Sequence, residues 1–425
     1  MNKTLFPVGF HQLHPNVSMN FQMNRWYSWV GEEAMLDEMR AVAPRIANFS
    51  DWKREFLALA VKASIEGHAL RAGFYFRSAD FFMRSADPDR KSARQNFLSA
   101  IRSVYGLGAH ERHAIPYTDG EVQGALPAYR LVPAQSKGTI VFFGGFDSYI
   151  EELTSAFLYL RDAGYEVVAF EGPGQGGALN DAGLHMTADW HKPVKAVLDY
   201  FNLDHVTLIG LSMGGCLVLR AAAFEPRVER VVAYNIYPDS LEVNLRQVKP
   251  LLRGMMKVLL GLRASAVVNL MARRVARKNP IAEWGIDEGM HVTGTTSPYD
   301  YFQKIRLFHT RDVSALVEQD ALLLAGSEDH LLPLADFYWQ IAMLKNARAI
   351  TARLFTKIDS AQSHCQVGNY GLAFRTIVHW LDGMQGQTPI EVLDAVPPPI
   401  EVATGRLRGR DASEPQVGVP SFSVQ

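Results

Sequence analysis

One pentapeptide, Gly210-Leu211-Ser212-Met213-Gly214, constrains the fold more than any other stretch of this chain. It follows His205-Val206-Thr207-Leu208-Ile209, a β-branched apolar run that reads as a buried strand. Gly215 to Ala223 comes next and reads as a helix of small apolar residues. A chain that passes from strand to helix in so few residues turns sharply, with the serine at the apex. That turn strains the Ser212 backbone, so the positions two before and two after must lack bulk, which accounts for Gly210 and Gly214. The hydroxyl is lifted clear of the sheet, and the first helical N–H groups point at whatever it attacks.

At 425 residues the chain can hold one large α/β domain with a cap, or two domains, and 48% apolar content supports a full core. The net charge of −1 gives no electrostatic case for nucleic acid. Two cysteines, Cys216 and Cys365, make no disulfide framework. Leu5 to Phe10 is too short and broken for a secretory leader, and no apolar run reaches spanning length. The expectation is a soluble, cytoplasmic protein with no nucleic-acid or membrane partner, free to form a homodimer.

Residues 1–110 read as a helical cap, opened by an irregular aromatic arm over 1–25. Ser50 is the expected N-cap of a helix carrying Trp52, Phe56 and Leu57, and the segment His68–Arg84 is densely aromatic. Strands then alternate with helices over 111–237 and 319–385, the pattern of a doubly wound, mostly parallel sheet. The alternation stops after the sixth strand, where 238–318 reads as a helical cap insertion. Residues 386–425 are polar and Pro-rich and read as a disordered tail.

A serine hydroxyl needs a base, and the base an orienting acid. Asp329 follows the buried run Ala321–Ala325 directly, in the loop at its carboxyl end; Asp320 lies at the wrong end and Glu328 points the other way. Of thirteen histidines, His364 stands in the loop after the last strand, whereas His379 is inside a helix and His330 has too little chain to return to Ser212. Two N–H donors for an oxyanion are expected at Met213 and, after the third strand, at Phe146 within Gly144-Gly145-Phe146-Asp147-Ser148. Glu171, Asp239 and Glu242 lie near carboxyl ends of strands four and six; Glu242 and Asp239 are the candidates for an auxiliary acid. Gly172 to Gly177 fits G-x-G-x-x-G, but Pro173 removes a phosphate-facing N–H and the strand before it is not the first of a βαβ unit. No cofactor and no metal is therefore assigned. Arg246 to Lys278 holds nine Lys or Arg and no acid, a set that suits an anionic substrate or an acidic partner but is read as a solvated basic face on an amphipathic cap helix.

With these residues in view, the chain resembles a family of α/β-hydrolases that includes 2,6-dihydroxypseudooxynicotine hydrolase, the fermentation–respiration switch protein and fungal polyketide-shortening hydrolases. The similar stretches are Gly144–Ser148, Glu171–Gly176, the Ser212 turn, Glu225–Arg227, Thr310–Val313 and His364-Cys365. The resemblance implies an α/β-hydrolase fold and Ser212, Asp329 and His364 as the triad. It also implies hydrolysis of a carbon–carbon bond beside a ketone, or of an ester, in a small aromatic or polyketide-like substrate. A carboxylesterase, thioesterase or acyl-peptidase-like hydrolase is the nearest alternative; a non-catalytic binding protein on the same scaffold has no use for an intact triad.

Overall fold

The computed structural model describes residues 6–246 and 248–384. Met1–Asp382 form one compact unit; of a second, Gly383–Gln425, only the first two residues are described, so the expected tail 386–425 lies outside the described residues.

The eight strands run β1 (Arg112–Asp119), β2 (Val122–Leu131), β3 (Thr139–Phe143), β4 (Glu166–Phe170), β5 (Val206–Leu211), β6 (Val228–Tyr234), β7 (Asp320–Gly326) and β8 (Ala349–Phe355). Their order in the single sheet is β1-β2-β4-β3-β5-β6-β7-β8. The β1–β2 and β2–β4 pairs are antiparallel; every pair from β4–β3 onward is parallel. The central strands β4, β5 and β7 are buried along their whole length, as continuous apolar runs covered on both faces require.

Five helices precede the sheet: α1 (Val17–Val30), α2 (Glu33–Val42), α3 (Phe49–Ile65), α4 (Ala69–Phe81) and α5 (Arg90–Tyr105). Between strands come α6 (Thr154–Asp162), α7 (Gly176–Asn180), α8 (His191–Phe201) and α9 (Gly214–Ala222). After β6 the chain builds α10 (Ser240–Leu245), α11 (Pro250–Gly261), α12 (Ser265–Ala276), α13 (Pro280–Thr293) and α14 (Pro298–Ile305) before β7. Helices α15 (Leu334–Met343) and α16 (Tyr370–Met384) complete the set.

Two local expectations are corrected. The arm is irregular only up to Asn16, whose side chain accepts from Met19 N and starts α1; that helix is then buried along most of its length. The cap of α3 is Asn48, accepting from Asp51 N, so the helix starts before Ser50. Both residue types can cap, and tertiary packing of Phe49 against Phe82 (centroids 4.2 Å apart) places the earlier one at the boundary.

The apolar side chains form two clusters, one on each face of the sheet. On one face, residues of α1–α5, such as Trp26, Trp52 and Phe97, join Ile140, Phe142, Val167 and Leu322 of the strands. On the other, α8, α9 and the α10–α14 helices pack with Val141, Val168, Leu208 and Leu323. The helices before β1 therefore share a core with the sheet.

Candidate active site

Ser212 sits between β5 and α9 with φ 59°, in the left-handed region that a non-glycine residue adopts at a cost. A Cβ on Gly210 would overlap the Gly214 carbonyl, so the turn closes only without a side chain there. The Ser212 Oγ lies 2.8 Å from His364 Nε2, and His364 Nδ1 lies 2.7 Å from Asp329 Oδ2. A carboxylate only accepts, so Nδ1 carries the proton and Nε2 is left to accept from the serine hydroxyl. Asp329 is held on every side: Asn235 Nδ2 donates to Oδ2 at 2.9 Å, and the Leu331 and Leu332 N–H groups donate to Oδ1 at 2.8 and 3.1 Å. Burial raises its carboxyl pKa, but the His364 charge and hydrogen bond outweigh that and hold it below the usual range. For His364, burial alone lowers the pKa; the Asp329 charge opposes it and holds the imidazole well above its ordinary value. The rivals lie elsewhere. Asp320 is bound to Arg348 at 2.6 Å, and Glu328 and His379 are exposed.

Met213 and Phe146 both border the cavity over Ser212, and neither N–H has a protein acceptor among the described residues. Gly145 brings the two together: a Cβ there would stand 2.9 Å from Leu211 O and 3.1 Å from Met213 N, so only a bare backbone approaches this closely. The Gly172–Gly177 motif serves this loop. Gln175 Nε2 donates to Gly144 O and Gly145 O at 2.8 Å each, while Gly172 N donates back to Gln175 Oε1 at 3.0 Å. Glu171, just past the carboxyl end of β4, is buried and accepts from Ile150 N at 3.1 Å and Gly177 N at 2.5 Å. Burial and the neighbouring Glu151 push its pKa up to about 8. The motif's N–H groups are thus turned inward as a latch.

The auxiliary acids are corrected. Asp239 caps α10 by accepting from Glu242 N at 3.0 Å and pairs with Arg311 at 3.0 Å; Glu242 pairs with Lys257. Neither borders the cavity. Their position after β6 is as expected, but cations from other parts of the chain turn both carboxylates away. The carboxylate that does border the cavity is Asp147, 3.7 Å from Arg25.

The cavity holds about 280 Å³ and is mostly apolar. Phe21 of α1, Phe81 and Phe82 at the end of α4, and Trp284 of α13 are among the rings that line it, with Phe146, Tyr237, Tyr301 and Phe302. Phe74 and Tyr75 of the aromatic segment are buried in the helical core instead. His330, set aside in the sequence because of its short tether, borders the cavity with its ring 6.2 Å from that of His364. Burial and then the His364 charge bring its pKa down to about 4. Sequence reasoning also passed over Asn235, although its place just after β6, at the carboxyl end of the sheet, is the available signal. Among the described residues no group of three or more His, Cys, Asp or Glu is placed to hold a metal ion.

Comparison with known proteins agrees with this architecture. The chain is 28% identical over 402 residues to "Hydrolase LUC6" of a Fusarium species, covering 84% of this chain and 91% of the relative. It is 31% identical over 257 residues to "Alpha/beta hydrolase psoB" of Aspergillus fumigatus, covering 54% and 56%. Its fold is similar to that of 2,6-dihydroxy-pseudo-oxynicotine hydrolase (TM-score 0.56, 19% identity, 84% and 94% covered) and of AbyA5 (TM-score 0.61, 19%, 87% and 95%). The α/β-hydrolase fold model matches residues 141–361, just over half of the chain. With the eight-stranded sheet and this match, the chain belongs to the α/β-hydrolase family and is a hydrolase.

Proposed function

We propose that the chain is a serine hydrolase that cleaves a small apolar ketone or ester through an acyl-enzyme at Ser212. The single observation that carries this reading is the hydrogen-bonded line Ser212–His364–Asp329, at 2.8 and 2.7 Å, at the edge of a mostly apolar cavity. His364 Nε2 takes the hydroxyl proton as Oγ bonds to the substrate carbonyl carbon. The resulting oxyanion is met by the Phe146 and Met213 N–H groups. Collapse breaks the bond to the leaving group, which takes its proton from His364. For a 1,3-diketone that group is an enolate carbon, and for an ester an alkoxide oxygen. Water then adds to the acyl carbon by the same route, releasing a carboxylic acid and restoring Ser212.

Residues 1–110 and 238–318 act in this reading as caps that exclude water and shape the acyl site, because both supply walls of the cavity. The aromatic lining favours an aryl or polyketide-like acyl group, and His364 alone returns the proton, since Glu242 and Asp239 are engaged elsewhere. The test is a serine-directed fluorophosphonate label with mass mapping, followed by side-by-side assays of aryl esters, 1,3-diketones, aryl ketones and aminoacyl anilides. Label on Ser212 and turnover of esters or ketones are expected. Absence of labelling, or turnover confined to anilides, overturns the assignment.

A further inference from the structure

Helices α11 and α12 border the cavity with one side and face outward with the other. Leu252, Met256, Met271 and Val275 belong to the cavity wall. Along α11 and its C-cap Leu262 the outward stripe is Leu251, Met255, Val258 and Leu262, spaced i, i+4, i+7 and i+11, so the four side chains line up along one narrow face. They are 85, 43, 60 and 72% exposed, and Val267 and Leu270 of α12 are 46 and 50% exposed. Residues 251–270 thus hold seven of the 21 large apolar side chains exposed among the described residues, a concentration that one short segment does not reach by scatter.

The same segment is cationic. No acidic residue stands between Glu242 and Glu283, and of the nine Lys or Arg over 246–278 only Arg246 and Lys257 make an ion pair among the described residues. Arg273, Arg274, Arg277 and Lys278 are exposed beside Val267 and Leu270.

Charge decides between occupants. A second copy related by a two-fold axis would lay this unpaired cationic face against itself. An acidic protein would answer the charge but leaves the aliphatic stripe of α11 without a purpose. A bilayer surface with anionic headgroups satisfies both, since aliphatic side chains enter the acyl boundary while Lys and Arg reach the phosphates.

We propose that the outer face of α11 and α12 docks onto an anionic lipid surface, which sets the cavity wall formed by the same two helices against the lipid phase. Apolar substrates then reach the cavity from the membrane through that wall. No spanning helix is involved; among the described residues none is long and apolar enough to cross a membrane. The expectation of no membrane partner rested on the lack of a spanning run, which has no bearing on surface docking.

The test is co-sedimentation of the full chain with vesicles of phosphatidylcholine alone and of equal parts phosphatidylcholine and phosphatidylglycerol. Binding to the anionic vesicles, weakened by salt and slight on the neutral ones, is expected. Arg273→Gln/Arg274→Gln/Arg277→Gln should lower the partition on the order of 100-fold. Leu251→Ser/Val258→Ser/Leu262→Ser should do the same, with circular dichroism unchanged because all three side chains are exposed. Ser212→Ala should bind as the unaltered chain does, so a failure of docking and a failure of the proposed catalysis are read apart. The proposal falls if the unaltered chain ignores anionic vesicles at low salt, or if either triple variant binds them normally. It falls equally if light scattering shows the serine triple variant turning a dimer into a monomer, which assigns the face to a second copy, or if polyglutamate outcompetes the vesicles.

Discussion

At the scale of single residues, the proposed chemistry depends on one imidazole being neutral when Ser212 attacks. Asp329 holds the His364 pKa above its ordinary value, so the neutral form grows as pH rises and kcat/KM should rise with it, with the midpoint of the acid limb above the usual histidine range. Asp329→Asn removes the opposing anion and leaves burial, which lowers the pKa. The acid limb should therefore move to lower pH while kcat drops roughly 10⁴-fold. A pH–rate profile of both proteins measures this, and an unmoved midpoint rules out Asp329 as the orienting acid. His330 behaves differently. Held at a pKa of about 4, it is neutral over the working range and stands in the cavity wall. His330→Phe should raise KM roughly tenfold through a lost polar contact to substrate, with kcat and the acid limb kept. A collapse of kcat would mean that His330 takes part in proton transfer.

At the scale of elements, the loop that carries Phe146 is held by a buried charge cluster that ties it to α1 and α4. The Arg77 guanidinium of α4 donates to Glu152 at 2.6 Å, to Asp80 at 2.9 Å and to the Asp147 carbonyl at 2.5 Å. Arg25 of α1 donates to the other Glu152 oxygen at 2.6 Å. Arg77 and Glu152 are almost wholly buried, so removing Arg77 leaves Glu152 with Arg25 as its one remaining cation in a site that water does not reach. Arg77→Met should cost about 3–5 kcal/mol in urea unfolding, because Glu152 and Asp80 lose their shared cation in a dry site. It should also lower kcat more than it raises KM, since the Asp147 carbonyl loses its anchor and the neighbouring Phe146 N–H drifts. Equal stability in the variant would show that water replaces the guanidinium. A second tie, Arg90 of α5 to Glu288 of α13 at 2.8 Å through both nitrogens, joins the two helical segments that wall the cavity.

At the scale of the molecule, α1–α5 share an apolar cluster with one face of the sheet, and Trp29 of α1 stacks on Tyr370 of α16 with ring centroids 4.0 Å apart. A chain lacking residues 1–108 should expose that face and be recovered insoluble and inactive. Expression of the truncated chain, with solubility and labelling at Ser212 as readouts, checks this. A soluble, fully active product would show that the sheet covers itself without the helices.

Much of the site is legible in the sequence because it rests on local rules. Ser212 is marked by small residues that its turn requires, and Asp329 and His364 by standing just past strand ends, where a parallel sheet presents its loops. The same rule locates Phe146 and Met213. What lies across the cavity is not local. Asp239 and Glu242 stand after β6 as expected, yet Arg311 and Lys257, brought close only by the folded helices, decide where their carboxylates point. His330 has a short tether to Asp329, and only the packing of Phe21 from α1 against its ring, 4.6 Å between centroids, fixes it in the cavity wall. Asn235 reaches Asp329 across 94 positions of chain. Strand, turn and helix signals act within a few residues; the direction of a side chain into a shared space depends on partners far along the chain, and those are assigned when the sheet closes and the helices pack over it.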